Sequence, residues 1–155
     1  MFDHVLFGAS DYEASKAFFL QALAPIGIEV VQEGSLGIEM SADGKTSLCI
    51  CPTEEKPAHL HLAFRAANRA QVDAFHRAAL AAGGQDHGAP GLRPNYHANY
   101  YAAFVIGPDG HNVEVVCHEP AGGGAALNAT RRHAARRASA WRRDASVHGL
   151  LPGLG

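Results

Sequence analysis

The chain repeats itself. Residues 3–27 and 60–84 align without gaps at an offset of 57, and nine of 25 positions are identical, among them His4/His61, Phe7/Phe64, Phe18/Phe75, Leu23/Leu80 and Gly27/Gly84. A second match, Asp43-Gly44…Cys51 with Asp109-Gly110…Cys117, has an offset of 66. The second copy therefore carries about nine extra residues, which fall in 85–97. A duplicated unit of this size restricts the fold to two like modules that bury their apolar faces together. The modules span 1–53 and 58–118, joined by TEEKP (53–57), in one domain over 1–119.

Each module reads as βαβββ. The first strands are expected at Phe2–Gly8 and Ala58–Arg65, each followed by a helix. Ser10 and Glu13 have the spacing of a capping box, and Asn68 with Gln71 repeats it. Val72, Phe75, His76, Ala79 and Leu80 form one helical stripe. Gly27 and Gly83-Gly84 suit left-handed caps. Three more strands are expected in each module, near 28–33, 35–40 and 46–51, then 85–88, 99–106 and 112–117, with Asp43-Gly44 and Asp109-Gly110 as hairpin turns. The class is α+β.

Side chains alternate along a strand. Val5 and Phe7, like Leu60, Leu62 and Phe64, are the apolar set expected to pack on the helix. His4 and His61 then face the other way, with His59 beside His61. On the last strand Asn112, Glu114, Val116 and His118 oppose Val113, Val115 and Cys117, so Glu114 shares the helix-free face. Two histidines and one carboxylate are the donor set of a facial-triad metal site, which leaves coordination positions open. Within 85–97, Arg93 and His97 are candidate substrate contacts, Arg because it holds oxyanions bidentately. His59 and His118 are candidate groups around the ligands. His76 and His111 are expected in solvent.

These residues resemble the vicinal oxygen chelate superfamily, the glyoxalase/bleomycin-resistance/dioxygenase proteins. The resemblance rests on Asp3-His4-Val5, His61-Leu62-Ala63-Phe64, GAPGLRPNY (88–96) and YYAAFVIGPDGHNVEVV (100–116), and covers about 1–119. It implies paired βαβββ modules forming one curved mixed sheet around a cavity. It also implies a divalent ion (Fe2+, Mn2+, Ni2+ or Zn2+) held by His4, His61 and Glu114, and a small substrate that presents vicinal oxygens. The implied activity is metal-dependent lyase or dioxygenase chemistry, with Glu114, His97 and Tyr100 as catalytic candidates and Arg93, Phe104, His59 and His118 as substrate contacts. Members of the superfamily often carry a fourth ligand on the last strand of module one, where the 66-residue offset puts Leu48 opposite Glu114. The tyrosine of the dioxygenase signature is Phe104 here, and Tyr100, on the same strand face, is its substitute. The alternatives are a non-catalytic binding protein of bleomycin-resistance type and a thiol transferase of fosfomycin-resistance type. Pairing of two chains as a homodimer is a further option the resemblance opens.

Charge separates the body from the rest. Residues 121–155 hold six arginines against Asp144, giving +5, and residues 1–120 hold seven basic and fourteen acidic residues, giving −7. An acidic body argues against nucleic acid as its partner. No apolar run approaches the roughly 18 residues that span a bilayer, and MFDHVLFGAS lacks a signal-peptide pattern. A cytoplasmic protein is expected, with a flexible basic tail over 120–155. Cys49, Cys51 and Cys117 lack redox or zinc-finger spacing and read as buried thiols, with Cys51 and Cys117 equivalent and on the helix side.

Overall fold

The computed structural model describes residues 2–121. The tail, with its arginine pairs, lies outside the described residues. Module one contains β1 (His4–Ala9), α1 (Tyr12–Leu23), β2 (Glu29–Gly34), β3 (Gly37–Ser41) and β4 (Ser47–Pro52). Module two contains β5 (His61–Arg65), α2 (Arg69–Ala81), β6 (Gln85–Leu92), β7 (Tyr101–Ile106) and β8 (Asn112–Cys117). The duplicated βαβββ order is thus present. Its strands hydrogen-bond within modules, as two four-stranded sheets ordered β1-β4-β3-β2 and β5-β8-β7-β6. In each sheet the first strand lies parallel to the last, and the other pairs are antiparallel. Each module therefore leaves its first strand, β1 or β5, at a sheet edge.

The helices join the modules. α1 and α2 pack on each other, α1 against β1 and β4, and α2 against β6, β7 and β8. Phe18, Phe19 and Leu23 of α1 and Val72, Phe75 and Ala79 of α2 are fully or almost fully buried. Phe18 crosses from module one onto two glycines of module two. A Cβ on Gly84 would meet the Phe18 ring at 2.8 Å, and one on Gly107 would meet it at 2.6 Å. Both positions need a hydrogen side chain for this close approach.

Three local expectations change. The N-cap of α1 is Asp11, whose carboxylate accepts from the Ala14 amide. Ser10 instead binds the Asp109 carboxylate through both its amide and its hydroxyl. Asp109, at φ 56°, is held in the left-handed region by that cross-module contact. Asn68 does cap α2, as expected, and the Gln71 side chain bonds back to the Ala67 amide. Residues 85–92 are a strand with irregular register about Gly88 and Gly91, so the insertion lengthens β6 before it forms a loop.

The second offset also changes. His4 pairs with Ser47 and His61 with Asn112, while Ser41 pairs with Ser47 and Ile106 with Asn112. The last strands therefore superpose at 65, and the Asp-Gly pair sits one residue later in the second turn. A one-residue shift exchanges the faces of a strand. Leu48 matches Val113 and is buried on the helix side. Cys49 matches Glu114, and Cys51 matches Val116 rather than Cys117. Cys49 and Cys51, half-buried, alternate with the buried Leu48 and Ile50, whereas Cys117 is fully buried.

Candidate functional site

Glu114 is the centre of the site. It lies on β8, second strand of its sheet, between β5 and β7, and is only 3% exposed. Its two oxygens have different partners. Oε2 lies 3.0 Å from His61 Nε2. Oε1 accepts from the Tyr100 hydroxyl at 2.6 Å, the short distance of a charge-assisted bond. Burial, and then this bond to Glu114, push the Tyr100 phenol up to about 12. His61 is held from behind, because its Nδ1 lies 2.9 Å from Asn112 Nδ2. The Asn112 Oδ1 is buried without a hydrogen-bond partner.

Rings surround the carboxylate. Tyr100 meets Tyr96 and His118 edge to face, at 5.0 and 5.2 Å between centroids, and His118 meets His97 at 5.6 Å. Phe104, cross-strand neighbour of Glu114, lies 6.4 Å from the His61 ring. The Arg93 guanidinium stands 5.5 Å over Phe104 and donates to the Ala89 carbonyl at 2.7 Å. Glu114, His61, Tyr100, Phe104, His118, His97 and Arg93 are thus linked through successive contacts.

His4 and His59 are not linked to them. His4 is on β1, its side chain 58% exposed, and its Nδ1 lies 2.8 Å from Asp3. Among the described residues of one chain, no three His, Cys, Asp or Glu side chains come together as a metal cluster. His59 is exposed and packs on the turn between β7 and β8, where a Cβ on Gly110 would meet its Nε2 at 3.0 Å.

Of two histidines expected in solvent, one is inside and one is half-buried. His111 is fully buried, accepts from the Leu60 amide at 3.1 Å, and meets the Phe7 ring edge to face at 5.1 Å. Burial holds its pKa below the usual imidazole value. His76, 12% exposed, bonds Asp86 at 2.9 Å. Sequence reasoning also missed two residues, Asn112 at the site and Cys49 at the equivalent of Glu114 on the other sheet. Asn112 had a signal, since it precedes Glu114 by two on the same face. Cys49 had none, because the repeated Asp-Gly pair placed Leu48 in its position. Burial, and then Glu39 across the strand, raise the Cys49 pKa.

An apolar cleft of about 710 Å³ opens beside this group, between the modules. Its lining includes Phe2, Val5, Leu48, Leu62 and Phe64 together with His61, but neither Glu114 nor Tyr100.

No curated protein matches the chain. A glyoxalase/bleomycin resistance protein from Albidiferax ferrireducens T118 is similar at 29% identity, with a TM-score of 0.66, over 77% of this chain and 99% of that one. A Bacillus halodurans protein described as a candidate glyoxalase is similar at 30% identity, TM-score 0.59, over 76% and 95%. A lactoylglutathione lyase from Agrobacterium tumefaciens shares the fold at 20% identity, TM-score 0.55, over 76% and 92%. The family model for the Glyoxalase/Bleomycin resistance protein/Dioxygenase superfamily matches residues 1–115. The paired βαβββ modules and this match together place the chain in that superfamily.

Proposed function

We propose that this protein is a metal-dependent enzyme acting on a small molecule with vicinal oxygens, with its ion held by His61 and Glu114 of one chain and His4 of a second. The carrying observation is the His61–Glu114 pair. Two donors each about 2.1 Å from one ion and about 90° apart lie about 3 Å from each other, the spacing between His61 Nε2 and Glu114 Oε2. A buried carboxylate also calls for compensating charge.

The orphaned Asn112 oxygen supports the same reading. Amide orientation is set by the hydrogen-bond network. Turning the Asn112 amide over lets Oδ1 accept from a His61 Nδ1–H, which leaves the Nε2 lone pair facing the ion.

The case for a second chain rests on His4, the sheet edges and the cleft. Among the described residues of its own chain His4 joins no cluster of metal donors, β1 and β5 are both edge strands, and the cleft between the modules is apolar. In a two-fold pair the same patch on each chain meets its copy, so each would lend His4 to the other and two sites would form.

A bound divalent ion (Fe2+, Mn2+, Ni2+ or Zn2+) supplies Lewis acidity and orients the two substrate oxygens. Tyr100 keeps its proton at ordinary pH and donates from its hydroxyl beside Glu114. Arg93, over Phe104, offers a guanidinium to an anionic substrate group, and the half-buried Tyr100 and His118 rings stand on one side of the carboxylate. The reaction is lyase or dioxygenase chemistry.

Metal analysis of protein purified without chelator tests this. About one ion per chain is expected, lost in Glu114→Ala and in His4→Ala. Absence of any ion, with no affinity for added Fe(II), Mn(II), Ni(II) or Zn(II), would overturn the proposal. The run of aromatic rings favours a second reading, a non-catalytic binding protein, which requires ligand binding without metal.

A further inference from the structure

Module one carries a second set of donor residues at positions equivalent to those of the first. On module two, His61 starts β5 and Glu114 lies two residues beyond its cross-strand partner Asn112. On module one, His4 starts β1 and Cys49 lies two residues beyond its cross-strand partner Ser47. His4 and Cys49 therefore hold the positions that His61 and Glu114 hold, and in module two that pair is in contact at 3.0 Å. The third strand extends the match. Glu114 is paired with Phe104, and Cys49 with Glu39. Cys49 and Glu39 are half-buried and alternate with the core residues Leu48, Ile50, Ile38 and Met40, so both point to the helix-free face that carries His4.

Module one thus presents imidazole, thiol and carboxylate on one face, where module two presents imidazole, carboxylate and phenol. We infer that Cys49 is a thiolate ligand at the metal site, contributed with His4 by one chain to the His61–Glu114 pair of the other. This rests on the two-chain metal site proposed above. The donor set becomes two histidines, one carboxylate and one thiolate, with Glu39 beside the sulfur. A thiolate shifts selectivity toward zinc and cobalt and away from the hard ions that oxygen-rich sites prefer. On binding, the Cys49 sulfur exchanges its proton for the ion and the proton leaves to solvent, so uptake releases one more proton than imidazole and carboxylate donors require.

Cobalt(II) added to the metal-free, full-length protein tests the ligand directly. Wild type is expected to bind about one cobalt per chain, to show visible d–d bands and a near-ultraviolet sulfur-to-cobalt band, and to lose Cys49 alkylation by iodoacetamide once loaded. Cys49→Ser is expected to lose the sulfur band and keep the d–d bands, and Cys51→Ser to keep both. Cobalt bound in a Glu114-dependent way without a sulfur band in wild type would overturn the thiolate and leave the metal site standing. A sulfur band that persists in Cys49→Ser, or alkylation of Cys49 that cobalt does not slow, would also overturn it. No cobalt binding at all would remove the metal site, and the thiolate with it. Protection from alkylation is read on wild type, so the test survives a Cys49→Ser chain that fails to fold.

Discussion

His111→Phe should remove one source of pH dependence from the stability of the fold. His111 is fully buried at the junction of the modules, between the Phe7 ring and Leu60, the residue before β5. Its Nδ1 accepts from the Leu60 amide, so Nε2 carries the hydrogen, and that atom is buried without a partner. Phenylalanine can keep the edge-to-face contact with Phe7 but leaves the Leu60 N–H unpaired. A stranded buried donor costs about 1–3 kcal/mol, offset in part by removal of the unpaired Nε2–H. At pH 7.5 the variant should be less stable by about 1–2 kcal/mol.

Acid narrows the gap. Burial is the main cause of the lowered His111 pKa, opposed by Asp109 and reinforced by His59. The unfolded chain then binds a proton near pH 6.5 that the folded chain refuses. The wild-type contribution is complete above about 6.5 and falls as pH drops toward the depressed folded value, by up to about 1.4 kcal/mol per pH unit. The stability difference should shrink as pH falls below 6.5. Urea unfolding of both chains at pH 7.5, 6.5, 5.5 and 5.0 measures it, and the other histidines cancel in the difference. His111→Gln, which can retain an acceptor for the Leu60 amide without titrating, should sit nearer wild type at pH 7.5. A difference that stays constant from pH 7.5 to 5.0 would refute the reasoning.

Other changes probe the site and the core. Asn112→Leu should weaken metal binding about 10–100-fold, since it removes the group that orients His61, and competition with a chelator reads the loss. Tyr100→Phe should destabilise the metal-free protein by about 1.5–3 kcal/mol by removing a hydrogen bond to a buried carboxylate, measured by urea unfolding after chelation. Phe2 is 64% exposed at the cleft. If a second chain covers it, Phe2→Glu should weaken association by about 1.5–3 kcal/mol, roughly 10–150-fold in sedimentation equilibrium, with little effect on folding of one chain. Phe18→Ala should cost about 3–5 kcal/mol, because its ring fills the space over Gly84 and Gly107 that joins the modules.

The repeat and the alternation of side chains were legible because both are local. Strand, helix, strand, strand, strand could be written twice from turn residues and periodicity, and Glu114 could be put on the face of His61 by counting in twos. Other features depended on contacts distant in the chain. Asp109, 99 residues from Ser10, took the serine that would have capped α1. Equal turns, with Asp-Gly one residue later in the second, moved Cys49 into the place given to Leu48. His111 looked like a turn residue and became buried, because the second turn folds back against Phe7 of the other module. The sequence alone thus determined which residues face which way within each strand. Only the tertiary structure decided which strands meet, and hence that His61 and Glu114 touch while His4 stands on the other sheet. Pairing depends on the register and sheet order of strands far apart in the chain, and alternation within a strand carries no record of either.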